Sequence, residues 1–248
     1  MITRDELLSN KPLIVAGPCA VESREQILEV GMRIKDAGAN LIRTQLWKPR
    51  TRPGTFQGIG EEGKEWILEV KEKTGLPVTM EIVSQSQVEY SKDFVDVLWV
   101  GSRNMQNFEL LKTMGEDDRP VILKRGFINN IKEWLGAAEY CGFEKTILCE
   151  RGIRTGADAM RFTLDLNGAL VAKFDHDLPV VVDPSHPAGR RDMVPNLAYA
   201  GIAAGLDGVV IEVHQDPENA MSDADQQITP DKFDEVVKII KKIHKAIN

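Results

Sequence analysis

The chain has 248 residues, 42% hydrophobic and 28% charged, a balance that excludes a disordered or collagen-like polymer and supports a sizeable core. Its 31 Lys and Arg against 38 Asp and Glu leave a net charge of −7, so nucleic acid and acidic membrane surfaces are poor default partners. The three cysteines, Cys19, Cys141 and Cys149, lack CxxC spacing and fit a reducing cytoplasm, no run approaches the ~18 apolar residues of a membrane span, and Met1 to Lys11 is too polar for a signal peptide.

Short apolar runs typical of strands buried on both faces recur along the chain: LIVAG at Leu13, NLIRT at Asn40, PVTMEI at Pro77 and VDVLWVG at Val95. Four more follow, PVILKRG at Pro120, TILCERG at Thr146, PVVVDPSH at Pro179 and GVVIEVH at Gly208. Helix-length amphipathic stretches lie between them at 23–37, 60–73, 104–114, 131–140 and 192–204, and 231–246 closes the chain. Gly38, Gly75 and Gly205 each stand just past a helical run and before a strand, where a helix C-cap places glycine. No linker or low-complexity stretch divides the chain, so it reads as one domain, 1–248. Eight strand–helix units of about 30 residues each predict an α/β fold, a single (β/α)8 TIM barrel. A doubly wound open sheet is the rival, but no GxGxxG follows the first strand.

Such a barrel carries its active site at the C-terminal strand ends. The residues following the apolar runs are Cys19, Arg43 with Lys48 and Arg50, Glu81, Arg103, Lys124 with Arg125, Glu150 with Arg151 and Arg154, His186, and Glu212. Arg offers a planar fork and Lys a point charge for phosphate and carboxylate, so converging cations predict multiply anionic substrates. A rim cation paired with a neighbouring carboxylate is the plain alternative for any one of them. Cys19, His186, Glu212 and Asp223 form a second constellation, from the first, seventh and eighth strands and the loop beyond. Thiolate, imidazole and two carboxylates suit a divalent transition metal. A buried inert thiol is the plain reading of Cys19 alone, and His214, two residues beyond Glu212, is a competing ligand or a support to one. Cys141 and Cys149 read as packing residues, and His176 and His244 as solvated.

AGPCAVES at Ala16, the 43–51 segment ending in KPRT, FQGIG at Phe56, LKRGF at Leu123, ILCERGIRT at Ile147, DPSH at Asp183, GRRD at Gly189 and EVHQDPENAMSD at Glu212 occur in this order. Together they resemble the 3-deoxy-7-phosphoheptulonate (DAHP) synthases, in the microbial subgroup related to the 3-deoxy-octulosonate-8-phosphate synthases. The sister family carries Lys-Ala-Asn-Arg where this chain has Lys48-Pro49-Arg50-Thr51. The resemblance implies a shikimate-pathway enzyme that joins phosphoenolpyruvate, erythrose 4-phosphate and water. It implies a divalent metal ion (Mn, Fe, Co or Zn) on Cys19, His186, Glu212 and Asp223. It further implies phosphoenolpyruvate on Arg43, Lys48, Arg103, Lys124 and Arg151 with Glu81 nearby, and the aldose phosphate on Arg50 and Thr51. Arg52 and Pro53 follow where the family commonly has Ser or Thr, and Arg52 could itself be a phosphate ligand.

Lys48, Lys124 and His186 are the expected catalytic side chains. Lys124 is the candidate proton donor, because neighbouring cations favour release of a lysine proton; a simple anion clamp is its alternative role. The resemblance also implies a homo-oligomer, dimer or tetramer, with regulation by a partner in trans as an option. Regulated members often carry an added regulatory or chorismate mutase domain. About a dozen residues precede the first strand and the last helix runs almost to Asn248, so no such domain is expected here. The rivals are the octulosonate synthase acting on arabinose 5-phosphate, a barrel aldolase with a Schiff-base Lys124, and a silent sugar-phosphate sensor.

Overall fold

In the computed structural model, which describes residues 1–248, eight strands close into a parallel barrel in the order β1 to β8. The strands are β1 (Leu13–Gly17), β2 (Leu41–Arg43), β3 (Val78–Glu81), β4 (Val97–Val100), β5 (Val121–Lys124), β6 (Thr146–Glu150), β7 (Val180–Val182) and β8 (Gly208–Glu212). Helix α1 (Arg4–Ser9) precedes them. Outside the barrel run α2 (Arg24–Ala37), α3 (Lys64–Thr74), α4 (Gln85–Tyr90), α5 (Phe108–Gly115), α6 (Ile131–Cys141) and α7 (Leu166–His176), then, past the short α8 (Ser185–Ala188) at the end of β7, α9 (Val194–Ala203) and α10 (Pro230–Ile247). The (β/α)8 barrel expected from the sequence is the observed fold. None of its helices is long and apolar enough to cross a membrane.

Local chemistry explains the helix ends. Ser23 Oγ accepts from Gln26 N–H and Asn107 Oδ1 from Leu110 N–H, so the starts expected at 23 and 104 become a cap and an approach. Gly38 and Gly75 close α2 and α3 in the left-handed region. Helices α1, α4, α7 and α8 are not among the expected ones: α1 and α4 are six residues each and α8 four, and α7 places His176 at its end rather than in a loop.

Side-chain alternation splits the strands between two cores. Leu13, Val15, Leu41, Val97, Trp99, Ile122, Ile147, Cys149, Val181 and Val210 fill the barrel, joined by Leu7 of α1. Their neighbours, such as Ile14, Ile42, Leu98, Leu123, Leu148, Val182 and Val209, face the helices. The same alternation assigns the upper ends. Two residues beyond Leu41, Ile122, Cys149, Val181 and Val210 stand Arg43, Lys124, Arg151, Asp183 and Glu212, all aimed inward.

Arg125 and Glu150 are one residue out of that phase, which corrects their placement at the mouth. Arg125 Nη1 lies 3.1 Å from Glu150 Oε2 and 2.7 Å from Asp165 Oδ2, with its guanidinium over Trp134. They form a buried network behind the sheet. Cys141 and Cys149 are free, fully buried packing residues, as expected.

A recurring device closes the opposite end. Asn40, Asp96 and Asp207 immediately precede β2, β4 and β8, and their side-chain oxygens accept the N–H of Ile14, Val78 and Val180 on the preceding strand. Asp207 also receives Lys11 and Lys173, each at 2.7 Å. Burial opposes its charge, but these two ammonium groups and the Val180 N–H outweigh burial and hold the carboxyl below its usual range. A depressed carboxyl stabilises above the unfolded-state value and loses that contribution as pH falls through the folded one. Asp207→Asn is therefore expected to cost about 1.5–3 kcal/mol at pH 7, by urea unfolding, with the difference shrinking below about pH 4.

Candidate active site

A cavity of about 240 Å³ opens at the C-terminal ends of the strands. Lys48, Arg50, Arg52, Arg103, Lys124, Arg151 and Arg161 line it with positive charge, against the carboxylates of Glu81 and Asp223. An acidic protein has thus gathered cations into one concave mouth, the arrangement that draws anions. Thr51 and His186 also line the wall. Arg43, Cys19 and Glu212 lie buried at the strand ends and are absent from the wall.

Aromatic faces lie against several of these cations. Trp99 rises from the inner core to lie under Lys124 Nζ at 4.3 Å and the Arg43 guanidinium at 4.8 Å. Phe127 and Phe162 stack with centroids 5.3 Å apart, and the Arg151 guanidinium sits 4.2 Å from Phe162 and 5.0 Å from Phe127. Arg103 and Arg154 also approach Phe127, and Arg161 approaches Phe162. A ring face orients a guanidinium while leaving its N–H groups free for an anion. Arg151 Nε is buried without a partner, as is Arg50 Nη1, and burial pulls Arg151 down to about 10, so both forks are short of acceptors. Thr51 Oγ1 accepts from Arg103 Nη2 at 3.2 Å, tying the KPRT segment to the loop after β4.

Lys124 differs from its expected surroundings. Its nearest partner is a carboxylate, Asp183 Oδ2 at 2.5 Å, rather than another cation. Burial opposes the Asp183 charge, but His186 and Lys124 outweigh it and hold the carboxyl well below its usual range. Asp183 Oδ1 also accepts the N–H groups of Ser185 and His186. Glu81 moves the other way: burial raises it despite the nearby Lys48, Lys124, Arg43 and Arg103. A Cβ at Gly101 would overlap the Glu81 carboxylate, so the glycine makes room for it. Gly17 serves Arg43 similarly, since a Cβ there would stand 2.5 Å from the Arg43 carbonyl oxygen and 2.8 Å from its Cγ.

Three of the four donors expected for a metal, Cys19, Glu212 and Asp223, converge, and His186 stands beside two of them. One donor atom each from Cys19, Glu212 and Asp223 lies within 4.8 Å of the others. His186 Nε2 stands 3.7 Å from Glu212 Oε1 and 3.9 Å from Asp223 Oδ2, and Cys19 Sγ lies 3.2 Å from Asp223 Oδ2. Ligands about 2.2 Å from a tetrahedral ion would be about 3.6 Å apart, so the separations given suit one ion held by Cys19, Glu212 and Asp223, with His186 beside Glu212 and Asp223 but outside that three-residue group. Glu212 Oε1 has a free lone pair: Arg43 Nη2 is 2.9 Å away but off the hydrogen-bond line. Burial lowers His186 to about 4, leaving at neutral pH the uncharged ring a metal requires. Its Nδ1 lies 2.7 Å from Asp183 Oδ2, although the ring is not turned for a straight hydrogen bond. Lys48 Nζ, 2.5 Å from Cys19 Sγ and 3.1 Å from Asp223 Oδ2, shows that the cluster accommodates positive charge. The residues present therefore fit a divalent ion.

His214 is not among them. It is buried, with Nε2 3.2 Å from Glu22 Oε2 and Nδ1 accepting the Asp216 N–H, which binds the loop after β8 to the loop after β1. Sequence reasoning missed Arg161, which reaches the cavity from the long loop before α7 and carries no spacing signal. It also missed the role of Asp183, although DPSH was in view.

The DAHP synthetase I family model matches residues 8–248. A Thermotoga maritima phospho-2-dehydro-3-deoxyheptonate aldolase is 43% identical over 94% of this chain and 70% of its own. The crystal structure of that kind of enzyme from the same organism superposes with a TM-score of 0.90 at 42% identity, covering 96% of this chain and 70% of the other. A 2-dehydro-3-deoxyphosphooctonate aldolase of Desulfatibacillum aliphaticivorans is 31% identical over 94% of this chain and 92% of its own. Matched along nearly its whole length in sequence and in fold, the chain belongs to the DAHP synthetase I family.

Proposed function

We propose that the chain condenses phosphoenolpyruvate with erythrose 4-phosphate and water to give 3-deoxy-7-phosphoheptulonate and phosphate, using a divalent metal ion on Cys19, His186, Glu212 and Asp223. The observation that carries this reading is the single mouth in which cations held by Trp99, Phe127 and Phe162 adjoin that donor cluster. The higher identity to the heptonate enzyme than to the octonate enzyme, 43% against 31%, favours the four-carbon aldose phosphate.

Phosphoenolpyruvate brings a carboxylate and a phosphate, which Arg103, Lys124, Arg151 and Lys48 are placed to bind, with Arg43 supporting from beneath. Arg50 and Thr51, with Arg52 beside them, face the phosphate of the aldose. This fixes the enol carbon C3 against the aldehyde carbon and converts a bimolecular encounter into a positioned one. The new C–C bond forms there, water adds at C2, and phosphate leaves by C–O cleavage. Lys124 Nζ donates a proton to the developing hydroxyl, with Asp183 holding the ammonium in place. A bound divalent ion would supply Lewis acidity toward the aldehyde oxygen or the water.

The division of labour is testable. Arg50→Ala is expected to raise KM chiefly for erythrose 4-phosphate and Arg151→Ala chiefly for phosphoenolpyruvate. Each loses a charge-assisted contact of about 1.5–3 kcal/mol, roughly 10- to 150-fold. Initial rates with each substrate varied in turn check this, and equal effects on both substrates would contradict it.

A further inference from the structure

Two adjacent glutamines after Asp223 take no part in the reading above, yet both are buried, at 2% and 0% exposure, and both bond to the metal-site residues. Gln226 Nε2 donates to Glu212 Oε2 at 2.5 Å, and its Oε1 accepts from Arg161 Nη1 at 3.0 Å. A carboxylate only accepts and a guanidinium only donates, so the orientation of this amide is determined by its partners. Gln227 is determined the same way: Oε1 accepts the Cys19 N–H at 2.9 Å, and Nε2 donates to the carbonyl of Ser222 at 2.8 Å. Ser222 adjoins Asp223, whose backbone lies in the left-handed region at φ 47°, and the Gln226 N–H closes the turn onto the Asp223 carbonyl. Three of the four donor residues are thus steered from one dipeptide. A fully buried amide left unpaired would be costly, so each of these bonds constrains its partner as much as itself.

We propose that Gln226 and Gln227 are the positioning residues of the metal centre. Gln226 orients the Glu212 carboxylate, Gln227 ties the Cys19 loop to the Asp223 loop, and Arg161 on the cavity wall sets the direction of Gln226. The inference rests on the reading of Cys19, His186, Glu212 and Asp223 as metal ligands. Groups that orient ligands from behind are typically worth 10- to 100-fold in metal affinity.

The test is titration of metal-free protein with Co²⁺, followed by calorimetry and by the thiolate-to-cobalt charge-transfer absorption that reports Cys19. Gln226→Met and Gln227→Met are expected to weaken Co²⁺ binding by about 10- to 100-fold, and Gln227→Met also to alter the thiolate band. Arg161→Met, a substitution at an exposed position, is expected to weaken binding by a smaller factor. Urea unfolding in chelator separates a merely structural role, which would lower stability and leave cobalt affinity and absorption at their wild-type values. That outcome overturns the proposal. Should the glutamine variants not fold, unchanged affinity in Arg161→Met overturns the proposed chain from Arg161 through Gln226 to Glu212. A wild-type protein that binds no Co²⁺ would instead overturn the metal reading itself, and with it this inference.

Discussion

Lys124→Met is expected to reduce turnover by at least the 10²–10⁴-fold of a lost general acid and to destabilise the protein by about 3–5 kcal/mol. The two effects have separate origins, the lost proton donor for turnover and the stranded Asp183 charge for stability. Lys124 Nζ and Asp183 Oδ2 are 2.5 Å apart and nearly inaccessible, with side-chain exposures of 5% and 0%. Removing the ammonium leaves an ionised carboxylate in the barrel with His186 and two backbone N–H groups as its remaining partners. Adding Asp183→Asn to the variant removes that stranded charge, so the double variant is expected to recover much of the stability and none of the turnover. Urea unfolding and phosphate release, measured on the same three proteins, check both halves. Equal loss of stability in the single and double variants would show that packing over Trp99, rather than charge, dominates at Lys124.

Metal removal should have a comparable effect on turnover. Extensive chelation is expected to abolish activity, and Mn²⁺ or another divalent transition metal to restore it, because Cys19, Glu212 and Asp223 converge with His186 beside Glu212 and Asp223. Cys19→Ala replaces the soft donor by a methyl group that cannot coordinate, so its metal affinity should fall beyond the 10- to 100-fold typical of supporting residues. Metal titration by calorimetry measures that loss. Wild-type affinity in Cys19→Ala would return the thiol to the role of an inert core residue.

The barrel and most of its mouth were legible because they rest on local periodicity and on motifs that keep their functional residues together. Lys48, Arg50 and Thr51 arrive in one KPRT segment, and Glu212 and Asp223 in one run. Failures arose where facing depends on a single-residue phase. Arg125 and Glu150 follow apolar runs as Lys124 and Arg151 do, yet alternation turns them outward into the ion network with Asp165. Long-range partners were equally hidden. Arg161 meets Gln226 across 65 positions and Lys124 meets Asp183 across 59, and no spacing in one sequence records such pairs. Nothing in the sequence marks the aromatic holders Trp99, Phe127 and Phe162, since a ring that orients a cation has the same pattern as one that only packs.

The most direct measurement incubates the purified protein and Mn²⁺ with phosphoenolpyruvate and either erythrose 4-phosphate or arabinose 5-phosphate, and follows inorganic phosphate. Phosphate release with a higher kcat/KM for erythrose 4-phosphate is the predicted result. A higher kcat/KM for arabinose 5-phosphate, or no phosphate release with either aldose, would contradict it.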